Sequence, residues 1–494
     1  MTVPQITALP DPPSRQDPTN FAVKGDAFLG ALPDFATEAN ALATQVNERV
    51  DAAFAAGLES AATNAATTVT KAAEARASEL AAAGFANEAM LLSLGVETLR
   101  PSIKPSLLLD FARAQVVPPS VTFTRASTAT RVGPSGLIET VGINVPRLDY
   151  DPITRACLGL LVEEQRTNLL LNSVFAGAVS GTPGTAPTSW SFITANGTTT
   201  FLSSQSRFTG GNKLRFSATA NRHYLGRSVA VTAGQSSCFS SEFEVVSGTI
   251  GLNSLFSGVA QSGAVFTSKY YLDGIEVLDN TKPTVGKHKI HVVHTVTTGG
   301  EIQNRVGIGT INNATADVIF DIPQFEVGAF PTSYIPTTTA SVTRAADVAS
   351  VNTLSPWYRA DEGTFFVEAS SVVTGVVYAY QLDDGTLQNR IFSLVDNAHQ
   401  FSVRIADTVQ AQLDAGSVLI NSPNKIAGSY KANDFALSLN GSAPVFDIDG
   451  SVPNASILRI GSTINSGYLN GHIRQIKYFP QRLTNAQLQA LTSL

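Results

Sequence analysis

From residue 106 to the C-terminus, apolar residues recur at every second position in short runs, and each run ends in Gly, Pro, Asn, Asp or Ser. Side chains of an extended strand alternate between two faces, so this period suits a sheet and leaves a helix no coherent apolar stripe. TSWSFIT (188–194), NKLRFSAT (212–219), SCFSSEFEVV (237–246), KYYLDGIEVL (269–278), HKIHVVHTV (288–296) and ADVIFDIPQFEVG (316–328) form one such series. GTFFVEAS (363–370), VVYAYQLDDG (376–385), QFSVRIAD (400–407), DFALSLNG (434–441), SILRIGS (456–462) and HIRQIKYF (472–479) form a second. Many short strands separated by turns predict sandwiches or jelly rolls. Residues 106–167 read as a small β unit: VTFTRAST puts Val121, Phe123 and Arg125 on one face, and VGPSGLIET (132–140) is a hairpin signal. Asp384-Gly385 and Asn440-Gly441 are hairpin dipeptides. Thr484 and Gln487 have capping-box spacing at a closing helix, with Leu483 and Leu488 as its staple.

The first hundred residues follow other rules. Pro4, Pro10, Pro12 and Pro13 predict an extended lead that does not pack alone. Asp17 before Pro18 is a plausible N-cap. Phe21, Phe28, Leu32 and Phe35 then recur at near-helical spacing on a segment too short to be stable by itself, which calls for a partner surface. Residues 41–94 are alanine-rich with a thin stripe of Leu42, Val46, Val50, Phe54, Leu58, Ala62, Ala65 and Val69. Two or three such helices wound together would bury the stripe; a flexible Ala/Thr linker is the alternative. Gly95, Pro101 and Pro105 end the helix.

Length and composition narrow the function. A chain of 494 residues exceeds one ordinary core. Charged residues make up 15% and the formal net charge is −6, with no Lys/Arg cluster, so no nucleic-acid footprint is expected. No apolar run of 18 residues occurs, so no membrane span is expected, and the first residues lack a secretory signal. Cys157 and Cys238 read as two buried free thiols.

Chemistry-bearing motifs are sparse. His288, His291 and His294 lie on a strand pattern, where His288 and His294 share a face too far apart to hold one ion. FDIDG (446–450) starts like a calcium loop, but Leu458 stands where the twelfth-position glutamate belongs. LDDG (382–385) and LVDN (394–397) carry oxygen donors that suit calcium, and plain acidic turns are the alternative. Calcium therefore stays open, and no other cofactor is expected. Glu242 and Glu244 share a strand face but lie too close along one strand to flank a glycosidic bond from both sides. No catalytic residue is assigned. Aromatic rings that could stack on pyranose faces are Trp190, Trp357, Tyr224, Tyr270, Tyr378 and Tyr380, with a core position as the alternative. Trp190 and Phe192 share a face, which favours core. Trp357, Tyr224, Tyr378 and Tyr380 are kept as glycan-binding candidates, Trp357 being the one expected in an exposed linker.

Several blocks carry a family likeness. PPSRQDPTNFAVKGDAFLGALPDFATEANAL resembles the virion-attachment segment of bacteriophage tail-fibre proteins. The block from Leu109 to Ser173 and QFEVGAFPTSYIPTTTASVTRAADV (324–348) resemble stretches recurrent in phage tail and head fibres, where the second closes a carbohydrate-binding-module-like jelly roll. KIAGSYKANDFALSLNGS (425–442) and GHIRQIKYFPQRLTNAQLQAL (471–491) resemble a concanavalin A-like (laminin G-like) lectin domain. The resemblance implies a mainly β chain with an N-terminal helical anchor and an alanine-rich coiled coil, followed by tandem β-sandwich (jelly-roll) domains. Its parts are a virion-attachment segment at 1–40, a trimeric helical stalk at 41–100, a small β adaptor at 106–167, a jelly roll at 168–340 and a lectin-type sandwich at 341–494. It further implies virion docking through Phe21, Phe28, Leu32 and Phe35 onto a tail or baseplate protein. A homotrimer assembled in the bacterial host cytoplasm would bind a host surface polysaccharide or lipopolysaccharide. A tailspike-type depolymerase using carboxylates such as Glu242 and Glu244, and a purely structural tail or capsid fibre, are the alternatives.

Overall fold

The computed structural model describes residues 6–93, 104–373, 375–395 and 398–493. The chain divides into two units, Met1–Leu91 and Leu92–Leu494. It is mainly β, with several antiparallel sheets and one long N-terminal helix.

In the first unit a single helix, Phe21–Ser93, takes up both the Phe-bearing segment and the alanine-rich run, and it continues through Pro33. One expectation is corrected. Asp17 does not cap the helix: its carboxylate accepts from Asn20 Nδ2 at 3.1 Å, closing a turn. The Asn20 carbonyl accepts the first helical bond, from Lys24 N at 2.9 Å. In the lead, Thr7 donates from its backbone N and from Oγ1 to the Glu38 carboxylate at 2.6 and 2.9 Å. Phe21 and Leu32 are exposed and Phe28 and Phe35 half-buried. Val46 and Val50 are exposed as well. The stripe positions Phe54, Leu58, Ala62, Ala65 and Val69, and the terminators Gly95 and Pro101, lie outside the described side chains or residues. Among the described residues no helix is long and apolar enough to cross a membrane.

The second unit holds two sandwiches, and they are nested, not tandem. One sandwich is built from both ends of the unit. Its eight-stranded sheet runs Val445–Asp447, Phe435–Leu439, Asn424–Lys431, Glu362–Ser371, Gly471–Phe479, Cys157–Val162 and Arg147–Tyr150, with Leu107–Asp110 also paired to Gly471–Phe479. Its seven-stranded sheet runs Thr122–Thr124, Val348–Val351, Ile457–Ile460, Val377–Asp383, Arg390–Val395, His399–Ile405 and Thr408–Asp414. The small adaptor expected at 106–167 is therefore not a separate domain. Its hairpin Ala129–Val132 and Ile138–Val141 is a two-stranded sheet, which is marginal by itself. Leu109, Leu160 and Val162 share a single cluster with Phe365, Ile473 and Tyr478.

The strands of the inserted sandwich lie between Ser191 and Val327. Its seven-stranded sheet runs Ile275–Val277, Val265–Leu272, Gly286–Thr298, Ser236–Gly248, Ala314–Val327, Lys213–Asn221 and Thr198–Leu202. A four-stranded sheet of Phe256–Gln261, Gly300–Ile308, His223–Val231 and Ser191–Ala195 packs on one face. Phe216, Phe243, Phe256 and Phe320 fill the space between the sheets, with ring centroids 5.1 to 5.6 Å apart along the chain of contacts.

Charges bury where the insertion leaves and rejoins. Arg125, Arg147 and Arg344 surround Glu163 and Asp347, all essentially buried. Arg125 and Asp347 pair at 3.0 Å, Arg147 and Glu163 at 2.8 Å, and Arg344 and Glu163 at 2.9 Å; Arg147 also pairs with Asp347. Ser333, on the chain leaving the inserted sandwich, donates from N and Oγ to Glu163 at 2.7 and 2.6 Å. Ala345 N donates to Ser127 Oγ at 2.9 Å, so the two TRA segments touch. Burial raises the Glu163 carboxyl, but Arg344, Arg147 and the Ser333 bonds outweigh it and hold the group down to about 2. The pairing and the hydrogen bonds are what make such burial tolerable.

The turn chemistry holds in part. Asn440 and Gly441 both have positive φ, and Ser442 N bonds to Leu439 O at 2.8 Å, a tight turn that opens the connection between Phe435–Leu439 and Val445–Asp447. Asp384 and Gly385 instead belong to a longer connection between Val377–Asp383 and Arg390–Val395. The hairpin of Ala129–Val132 and Ile138–Val141 forms as read. The closing helix Asn485–Ser493 has its capping box: Thr484 N to Gln487 Oε1 at 2.9 Å and Gln487 N to Thr484 Oγ1 at 3.3 Å. Cys157 and Cys238 are free and buried.

Candidate functional site: a cleft over the outer face of the inserted sheet

One face of the inserted seven-stranded sheet is apolar and packs on the four-stranded sheet. Its other face is polar, because period two sends the alternate residues of the same strands outward. Part of the first sandwich closes over this face and leaves a cleft of about 770 Å3. The hairpin residues Thr130 to Val132, together with Val372, Val373 and Asn421, form the opposing wall. Ile138 ties the walls together by bonding to Arg207 O at 2.7 Å and to Thr209 N at 2.9 Å.

Strand register sets two rows of side chains across the floor. In the first row Tyr271 lies opposite His291, His291 opposite Ser240, and Ser240 opposite Gln324. The Tyr271 and His291 rings are stacked, with centroids 4.4 Å apart and planes 8° from parallel. Both are half-buried. Burial lowers the His291 imidazole to about 4, so it is neutral at pH 7 and the stacked pair carries no charge. The Tyr271 hydroxyl donates to Glu276 Oε2 at 3.2 Å, which fixes the ring from outside the cleft.

In the second row Lys289 lies opposite Glu242, and Glu242 opposite Asp321. Arg207 reaches Glu242 at 2.9 Å and Lys289 reaches it at 4.0 Å. Asp321 is buried and accepts from Ser206 Oγ at 2.5 Å and Arg207 N at 2.8 Å. Burial raises both the Glu242 and the Asp321 carboxyls above their ordinary values. Glu244, the other carboxylate weighed for chemistry, does not line the cleft.

The four aromatic residues expected to bind glycan are all in the core, and this corrects the sequence reading. Trp357 is 9% exposed, donates Nε1 to Thr353 O at 3.0 Å and meets Tyr478 edge-on at 5.2 Å. Tyr224 is buried between Arg222 and Arg305, and its hydroxyl accepts from Arg222 Nη2 at 3.1 Å. Tyr380 is fully buried against Phe365 at 4.7 Å. Tyr378 is buried with Phe392 and Leu394. A register shift between Tyr378 and Tyr380 breaks their alternation, so the two go to different clusters and do not share a face. Tyr270 and Trp190 are also core. The rings that reach the cleft are Tyr271, His291, Phe330 and Tyr334, none of them among the glycan-binding candidates.

Metal-ligand candidates are engaged elsewhere. His288 pairs with Asp273 at 2.8 Å, and His294 is buried with Nδ1 2.9 Å from Ser268 Oγ. Asp383 is buried on Arg459, while Asp384 accepts from Thr386 and Asn389 within its own turn. Asp396 and Asn397 of LVDN lie outside the described residues. Among the described residues no cluster of His, Cys, Asp or Glu is arranged to hold a metal.

No family model matches the sequence. No curated protein matches it either. Among solved structures, the chain is similar to the CBM40 module of the Ruminococcus gnavus IT-sialidase bound to α2,3-sialyllactose, at 16% identity, over 27% of this chain and 83% of that one, with a TM-score of 0.24. It is similar to domains LG4-5 of the mouse laminin α1 chain, at 9% identity, over 55% and 89%, with a TM-score of 0.22. It is also similar to the Trypanosoma rangeli sialidase in complex with the inhibitor DANA, at 8% identity, over 57% and 60%, with a TM-score of 0.23. At these scores the likenesses carry no argument about what this chain binds.

Proposed function

We propose that this protein is a non-enzymatic, glycan-binding fibre of a bacteriophage. Its N-terminal unit attaches to a tail or baseplate protein through Phe21, Phe28, Leu32 and Phe35, and the cleft binds a host-surface polysaccharide or lipopolysaccharide. The observation that supports the sugar site is the stacked Tyr271–His291 pair on the floor of a polar cleft. The uncharged aromatic pair offers its edges and outer ring faces to the CH groups of a pyranose, and Ser240, Glu242, Lys289 and Asn421 around it suit the hydroxyls. The phage context is supported by the sequence likeness of 109–173 and 324–348 to fibre proteins. The long helix would be the stalk of a homotrimer, in which the exposed Val46 and Val50 find partners and several clefts act together.

The test is binding of the full chain to host cells and to their purified surface polysaccharide, with mass measured in parallel by light scattering. A trimer that binds, and loses binding on Tyr271→Ala, is the expected result. A protein that ignores cells and polysaccharide would leave a structural fibre. Release of reducing sugar from the polysaccharide would replace the reading by a depolymerase.

A further inference from the structure

The hydrogen-bonding capacity left over in the cleft is unevenly distributed. The carboxylates that line it are already engaged by the protein. Asp149 accepts from Val132 N at 2.6 Å and pairs with His472 at 2.9 Å. Asp273 accepts from Lys289 N at 2.8 Å and pairs with His288 at 2.8 Å. Asp321, behind the floor, is held by Ser206 and Arg207 as described. Arg131 is likewise occupied, bound to Glu139 at 2.8 and 2.7 Å and to Leu148 O at 3.3 Å.

Two cations are not occupied in this way. Lys289 has a side chain 59% exposed; its ammonium lies 4.0 Å from Glu242 and also acts on the Asp151 carboxylate. Arg207 meets the same Glu242 through Nε, 2.9 Å away. Two cations that line the cleft thus share one carboxylate. Lys289 sits two residues before His291 on one strand, hence on the same face and about 7 Å along it. A pyranose stacked on Tyr271 would carry an exocyclic substituent toward the ammonium.

We infer that the cleft selects saccharides bearing an anionic group, a carboxylate or a phosphate, which Lys289 and Arg207 take while the sugar ring packs against the Tyr271–His291 pair. This rests on the glycan reading above. Charged hydrogen bonds are the strong ones, and a partly enclosed cation gives selectivity against the neutral sugar of the same shape.

The experiment uses the full chain on an array of bacterial surface polysaccharides. Each is printed native, carboxyl-reduced (the carboxylate converted to a primary alcohol) and dephosphorylated. The expected result is binding to native acidic polymers that one of the two treatments abolishes; which treatment does so identifies the anion. Lys289→Gln, at an exposed position, should weaken that binding roughly tenfold. The residual binding should be less sensitive to salt than that of the wild type. Equal binding to native and treated polymers, with Tyr271→Ala still abolishing it, would overturn the anionic preference and leave the glycan site standing. Unchanged affinity in Lys289→Gln would also overturn the inference. Binding to no polymer in any form would overturn both readings.

Discussion

Arg125 Nη1 donates to Asp347 Oδ1 at 3.0 Å across 222 positions of the chain, and neither side chain is exposed. With Arg147, Arg344 and Glu163 this pair forms the junction at which the inserted sandwich leaves and rejoins the first. Removing one partner strands the others. Asp347→Ala leaves Arg125 and Arg147 buried without their common carboxylate and should cost about 3–5 kcal/mol. Urea denaturation of the variant and the wild type checks this, and a loss below about 1 kcal/mol would show that water reaches the cluster.

The same cluster gives an acid dependence. Glu163 is held at about 2 in the fold, below its ordinary 4.5. A depressed carboxylate contributes stability that is fully present above 4.5 and is lost as pH falls toward 2. His223, His291 and His294 are lowered by burial to about 4 and His399 to about 3, from 6.5. The unfolded chain then binds more protons than the fold between 6.5 and those values, so stability also falls as pH drops through that window. Glu242, Asp321 and Glu326, raised by burial, act in the opposite sense. The urea midpoint should decline from pH 7 to pH 4 with its onset near 6.5. A flat profile over that range would mean that the histidines are not desolvated as the fold implies.

Much of this fold is legible in the sequence and its connectivity is not. Strand positions follow from alternation, and Arg125 was placed by period two on the face of Val121 and Phe123, where it is indeed buried. Arg125 and Arg344, each within a Thr-Arg-Ala run, enter one ion cluster. What alternation lacks is the identity of the partner strand. Nothing in LLLD or CLGLLV says that both pair with Gly471–Phe479. The site was missed for a related reason. Aromatic residues on a two-sided sheet go mostly to the core, and choosing the one that faces out needs the register, which for Tyr378 and Tyr380 a bulge also shifts.

That difference between core and cleft rings is measurable. Trp357→Ala removes a buried indole that packs on Tyr478 and should cost about 3–5 kcal/mol. Tyr271→Ala, at a half-buried position outside the core clusters, should cost about 1 kcal/mol. Thermal unfolding separates the two, and polysaccharide binding should show the reverse order: lost in Tyr271→Ala, retained by the folded fraction of Trp357→Ala. Binding that survives Tyr271→Ala would move the sugar site away from this cleft.

The closing helix provides a local test of the first sandwich. Thr484 Oγ1 accepts from Gln487 N at 3.3 Å, and the Gln487 side chain returns a bond to Thr484 N at 2.9 Å. Leu483 and Leu488 on either side of the cap are buried with Phe366, Ala427 and Phe479. Thr484→Ala removes the acceptor for an N-terminal amide and should cost about 0.5–2 kcal/mol, whereas Thr484→Ser keeps it and should cost much less. Leu488→Ala opens a cavity beneath the eight-stranded sheet and should cost about 2–5 kcal/mol. Because the helix packs on Asn424–Lys431 and Phe435–Leu439, far in sequence from the insertion, these losses should leave glycan binding at saturating ligand unchanged. Binding that falls in step with Leu488→Ala at a temperature where the protein stays folded would show that the cleft depends on this end of the sandwich.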